Sequence, residues 1–185
     1  VFSLAVILAM SIMLAFFFHQ IRWVVTPIII SIIGALFMTG VISAIGWEVT
    51  VISANFFSLL LVMTLSVTIH LVVRYREISS NNPDAMSSEL TKQTLTEMIK
   101  PCAYTVITTL AAFASLTASN VKPVIDFGLM MSIGVVVAFI LSFISFAIFT
   151  MLLPKPNTAH QSEQFLVLEK FAVITDKFGK QIIIT

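Results

Sequence analysis

Residues 55–77 read NFFSLLLVMTLSVTIHLVVRYRE, and the first formally charged side chain in that run is Arg74. A bilayer core about 30 Å thick needs roughly 20 apolar residues of helix rising about 1.5 Å each. The run therefore predicts a membrane-spanning helix, but an unusually polar one, with Asn55, Ser58, Thr64, Ser66, Thr68 and His70 inside it. With Asn55 set at 0° and about 100° per residue, Ser66 falls near 20°, His70 near 60° and Ser58 near 300°. These four share one face about 120° wide, which a helix in lipid is expected to turn toward protein or water.

The rest of the chain agrees with a membrane setting. Of 185 residues, 58% are hydrophobic and 10% charged, against roughly 25% charged in a soluble domain. Charge-free runs predict spans at about 1–18, 24–46, 51–73, 101–119 and 127–153, with a sixth beginning at 181–185. The expected fold class is an all-α membrane protein, a polytopic bundle of five transmembrane helices plus the start of a sixth. The chain opens inside a hydrophobic run without Met, so it is read as an internal piece of a longer protein. All six prolines are expected at or outside span ends: Pro27, Pro83, Pro101, Pro123, Pro154 and Pro156.

Charge placement orients the bundle. Arg22, Arg74, Arg76, Lys92, Lys100, Lys155, Lys170, Lys177 and Lys180 fall on one side, and only Lys122 on the other. By the positive-inside rule, loops 19–23, 74–100 and 154–180 are cytoplasmic. Asn82, Pro83 and Asp84 resemble an N-cap, a first helical position and an acidic first turn, and predict an amphipathic surface helix over 83–100. A second is expected within the cytoplasmic linker 154–180. Each is either a cap on the bundle or a partner site.

Small residues recur at helical spacing in three spans: Ser31, Ala35, Thr39 and Ser43; Thr105, Thr108, Thr109, Ala112 and Ser115; Gly134, Ala138, Ser142 and Ser145. Such stripes suit close helix packing, and Thr105, Thr108, Thr109 and Gly134 are equally candidates for a substrate path. His70 is the one His, Asp, Glu, Lys or Arg within the five spans. It lies about 12 Å from the span midpoint, on the cytoplasmic side. It is read either as a proton-handling or gating residue, with Ser66, Asn55 and Ser58 on its face, or as an interfacial imidazole that snorkels.

Several functions are excluded. Net charge is +1 with no basic cluster, which leaves no phosphate-binding surface for nucleic acid. The single Cys102 has no disulfide partner in the chain. Neither a His-Glu-x-x-His metal motif nor a Gly-x-Ser-x-Gly elbow occurs, so no enzyme activity, metal or cofactor is expected. No ring of acids or filter-like loop suggests an ion channel.

Residues 55–77, together with residues 100–134, KPCAYTVITTLAAFASLTASNVKPVIDFGLMMSIG, resemble the membrane domain of the resistance, nodulation and division (RND) superfamily. The likeness is to its MMPL-like lipid and hydrophobe exporters, related to the sterol-sensing domains of Patched-type proteins. It rests on the Arg-Tyr-Arg-Glu exit from a polar helix, the Pro followed by Thr-Thr, and the Pro-Val-x-x-Phe-Gly that leads into the next helix. The resemblance implies helices two to six of a first half, a periplasmic domain upstream, and a second half of the same polypeptide. It also implies a bacterial inner membrane protein that exports lipids or other hydrophobic molecules using proton influx, with a homo-oligomer among the options. Where many such relatives carry a relay Asp, this chain has Val67, and their next-helix Gly-Phe is Ala112-Phe113 here. A non-coupled, sterol-sensing-like lipid-binding domain is therefore the alternative function.

Overall fold

A computed structural model describes residues 8, 9, 11, 12, 21–46 and 55–152. Four long helices and one short 3-10 turn make up most of them: α1 (Ile21–Ile45), α2 (Phe56–Asn81), α3 (Ser87–Ser115), the turn Leu116–Ala118, and α4 (Lys122–Leu152). No strand occurs among the described residues. All four helices are long and apolar enough to cross a bilayer, and the regular structure of the described residues is all helical, as the expected all-α membrane class requires. The expected count of five spans plus a sixth is not matched. Of span 1–18 only residues 8, 9, 11 and 12 are described, and these are helical; the linker helix 154–180 and the start at 181–185 lie outside the described residues.

The helix ends explain where the sequence reading was off. α1 stops at Gly46, whose φ of 74° is a left-handed conformation that glycine adopts without strain. α2 continues past residue 73 to Asn81, and Asn82 closes it. The Asn82 backbone N–H donates to the Ile78 carbonyl at 3.0 Å, and its side-chain amide reaches the same oxygen at 3.5 Å. Asn82 is thus a C-cap, not the N-cap of the next helix, and Pro83 follows it as prolines commonly follow helix ends. α3 begins only at Ser87, where Glu89 and Leu90 donate to the Met86 carbonyl.

The surface helix expected at 83–100 and the span at 101–119 are one continuous helix, with Pro101 in its interior. Pro27 likewise lies inside α1. Membrane helices tolerate such prolines, and a hydroxyl one turn on bonds each proline's own carbonyl. Ser31 Oγ donates to the Pro27 carbonyl at 2.8 Å, and Thr105 Oγ1 to the Pro101 carbonyl at 3.1 Å. α4 starts at Lys122, five residues before the expected 127, with Pro123 in its first turn.

α2 and α4 form the centre, each packing against the other and against both α1 and α3. Their contacts run in step: Gly134 meets Phe56 and Leu60, while Phe146 meets Tyr75 at a ring separation of 6.0 Å. α2 and α4 are therefore parallel, and α1 and α3 antiparallel to them, as alternating membrane crossings require. One apolar cluster gathers Trp23, Leu65, Leu71, Tyr75, Leu90 and Phe146 near the charged end. A second gathers Met38, Ile42, Phe56, Leu60, Met131 and Val135 toward the other end. Along α4, Leu129, Ile133, Val136, Ile140, Ile144, Ile148 and Met151 are exposed at three- and four-residue steps. A wholly aliphatic outer stripe of this kind suits contact with acyl chains.

Candidate functional site

α2 carries the polar residues expected on one face, and its burial pattern divides them. On the same angular scale, its buried residues occupy an arc from about 100° (Phe56) to about 300° (Ser58), with Thr64 near 180° and Thr68 near 220°. Thr64 and Thr68 are fully buried, and each hydroxyl donates to the carbonyl four residues back at 2.8 Å. That internal bond lets a hydroxyl sit in an apolar interface without an unmet donor. A methyl at Gly34 of α1 would touch Thr64 at 3.6 Å, so this hydroxyl lies on the α1–α2 contact.

The exposed arc, about 0–60°, holds Asn55, Leu59, Ser66, His70 and Val73. Three of the four residues expected on one polar face are therefore exposed together. Ser58 is not among them: it is 4% exposed, at the edge of the packed arc. A face drawn 120° wide reaches past the open sector, whose limits are set by how near α1 and α4 approach. Asn55 stands at the start of α2 and makes no side-chain capping bond there.

Ser66 and His70 line a cleft between α2, α3 and α4. Its other α2 residues are Met63 and Val67; α3 adds Cys102, Thr105, Val106 and Thr109; α4 closes it with Val135, Ala138 and Phe139. The space is about 60 Å³, room for a few water molecules. Antiparallel packing of α2 on α3 places Arg74 opposite Glu97, and one turn back it sets His70 level with Pro101 and Cys102. The sequence-predicted candidates Ser66, His70, Thr105 and Thr109 are thus brought together.

Thr108 and Gly134 are not part of the cleft. Thr108 is exposed on α3 and donates to the Thr105 carbonyl. Gly134 is a packing residue, because a Cβ there would lie 3.0 Å from Phe56 Cε2 and 3.2 Å from Leu60 Cδ1. Its stripe, Gly134, Ala138, Ser142 and Ser145, is buried as a contact face. The stripe on α1 holds only in part: Ser31 is buried and Ala35 half-buried, but Thr39 and Ser43 are exposed and Ile30, Gly34, Met38 and Ile42 carry the contact instead. On α3, Thr105, Thr108, Ala112 and Ser115 are exposed, so that stripe is not a helix contact among the described residues.

Beyond the apolar stretch of α2 lies an ionic cluster that joins it to α3. Arg74 pairs with Glu77 at 2.6 Å, and its Nε donates to Glu97 Oε2 at 2.7 Å. Gln93 donates to the other Glu97 oxygen at 3.0 Å. Hydrogen bonds to Glu77 and Glu97 hold the Arg74 guanidinium above its ordinary value. Gln93 first, and then Arg74, hold the Glu97 carboxyl below the usual carboxylate range. No group of three or more His, Cys, Asp or Glu that could hold a metal occurs among the described residues.

Sequence reasoning missed Thr64 and Thr68 as interface residues, although they continue the four-residue series of Leu60 and Val72 along the buried arc. It also missed the tie between Arg74 and Glu97, residues 23 apart in the chain, for which no local signal exists. No family model, curated protein or solved structure matches the sequence significantly.

Proposed function

We propose that this chain is the membrane half-domain of an RND-type secondary transporter that exports lipids or other hydrophobic molecules, driven by protons, with no chemistry on the substrate. The observation that carries this reading is the cleft, in which His70 and Ser66, on a helix long and apolar enough to span a bilayer, face an otherwise largely apolar wall. Intramembrane ionisable residues line such cavities when they move protons or shape a path. The Arg-Tyr-Arg-Glu run at residues 74–77 and the resemblance to MMPL-like exporters support it from the sequence side.

The open face of α2 supports the expectation of a remaining half of the same polypeptide, with its periplasmic domains. Asn55, Ser66 and His70 on that face contrast with the aliphatic stripe of α4, and polar groups in lipid are costly unless protein or water covers them. In this reading the protein sits in a bacterial inner membrane, with loops 19–23, 74–100 and 154–180 cytoplasmic.

Val67 favours a second reading. It lines the cleft where the resembled exporters carry a relay carboxylate, and a valine carries no proton. A sterol-sensing-like domain that binds a hydrophobic ligand without coupling has the same helices. Flux of a fluorescent lipid probe in vesicles containing the whole protein separates the two. An imposed proton gradient accelerates flux in the transporter reading, and flux indifferent to the gradient refutes it in favour of the second.

A further inference from the structure

α3 is fastened at both ends and loose between them. At its charged end, Glu97 accepts from Arg74 of α2, and Thr91 Oγ1 bonds Thr150 Oγ1 of α4 at 3.0 Å. At its far end α4 approaches α3 so closely that a Cβ on Gly128 would lie 2.8 Å from the Phe113 carbonyl oxygen and 2.9 Å from Leu116 Cβ. Beyond Cys102 no side chain of α3 is buried, so the far end is held by this close approach and by half-buried Phe113, and the stretch between by half-buried Val106 against the second cluster. Thr105, Thr108 and Thr109 all donate to carbonyls of α3 itself. Those three hydroxyl protons are thus spent within the helix rather than on α2 or α4.

The loose stretch begins at Pro101. Proline has no N–H, so the Glu97 carbonyl loses its helical donor at this point. Thr105 adds a back-bond onto the Pro101 carbonyl, a geometry that bends helices. The weakened turn lies directly beside the cleft, because the next residues of α3, Cys102, Thr105, Val106 and Thr109, form one of its walls. As described, the cleft holds only about 60 Å³, too little for any sizeable hydrophobic molecule.

We propose that α3 is a hinged wall: its stretch 101–112 bows outward about Pro101, between two fixed ends, and opens the cleft sideways to the bilayer. The motion needs neither a proton gradient nor a particular ligand, so it stands or falls separately from the transporter reading.

Cys102 is the chain's only cysteine, is 5% exposed, and lines the cleft, which makes it a native reporter of opening. The whole protein, with any cysteine outside these 185 residues replaced by serine, is reconstituted in lipid and the rate of Cys102 labelling by N-ethylmaleimide is followed. Pro101→Ala restores one helix hydrogen bond and is expected to slow labelling about fivefold, the population change such a bond is worth. Thr105→Val, which removes the back-bond, is expected to act in the same direction and serves if Pro101→Ala does not fold. As the comparison, Thr94→Cys in a Cys102→Ser background places the thiol at a fully buried position of the fastened end. That thiol is expected to label far more slowly than Cys102 and to ignore Pro101→Ala. Unchanged Cys102 labelling in folded Pro101→Ala and Thr105→Val overturns the hinge. So does equally fast labelling at position 94, which means that α3 separates as a whole.

Discussion

Gly128 and Gly134 both lie on the inner face of α4, yet the same substitution is expected to have different consequences at each. Alanine in place of glycine in a helix gains roughly 1 kcal/mol of backbone propensity, and crowding of a packed interface costs about 1–3 kcal/mol. At Gly134 the new methyl meets the ring edge of Phe56 at 3.0 and 3.2 Å and the Leu60 methyl at 3.2 Å. These are ends of side chains that can give by a few tenths of an ångström, so gain and cost nearly cancel. At Gly128 the methyl meets the Phe113 carbonyl oxygen at 2.8 Å and Leu116 Cβ at 2.9 Å. Neither can move without shifting the end of α3, and the net loss is expected to be about 2 kcal/mol. Unfolding in detergent, by heat or by added sodium dodecyl sulfate and followed by far-ultraviolet circular dichroism, ranks the two variants. Gly128→Ala as stable as the unsubstituted protein, or Gly134→Ala the more damaging of the two, would refute the reasoning and with it the close α3–α4 approach.

Three further outcomes follow from the same geometry. The Glu97 carboxyl is held below its ordinary range in the folded state, so its contribution to stability is complete above the unfolded value and is lost as pH falls through the folded one; Glu97→Gln should flatten that acid limb in a melting-temperature series against pH. Thr91 and Thr150 share a buried hydrogen bond, so Thr91→Val and Thr150→Val together should cost less than the sum of the singles, by roughly 0.5–1.5 kcal/mol in a double-mutant cycle; strict additivity would mean that the bond does not form. Val67 lines the cleft, whereas its neighbour Thr68 is fully buried. Val67→Asp should therefore yield a monodisperse protein by size-exclusion chromatography and Thr68→Asp should not, since an unpaired buried charge is costly; equal behaviour would place the wrong face of α2 on the cleft.

The existence of the helices was legible because a charge-free run of about 20 residues has few other uses. Their ends were not legible in the same way. Asn82 and Pro83 satisfy the rules for opening a helix and for closing one, and only the bonds to the Ile78 carbonyl decide between them. Pro101 misled for a related reason: proline ends helices in water, but a long apolar helix accommodates it and α3 runs on past residue 101. Angular arithmetic placed Asn55, Ser66 and His70 together correctly because they lie within about 60° of one another. It failed for Ser58, since the edge of a face is set by the neighbouring helices. The cleft brings Ser66 and His70 to Thr105 and Thr109 through the register of α2 on α3, which Arg74 and Glu97 mark. A tie between residues so far apart leaves no periodic trace in either helix.

The most direct test of the account is export of a hydrophobic probe by the whole protein carrying His70→Ala, measured at several external pH values. If the cleft is the working site, the substitution lowers export and weakens its dependence on pH, while circular dichroism and monodispersity stay as before. Export by His70→Ala that matches the unsubstituted protein at every pH would remove His70 from the mechanism and contradict the assignment of this cleft.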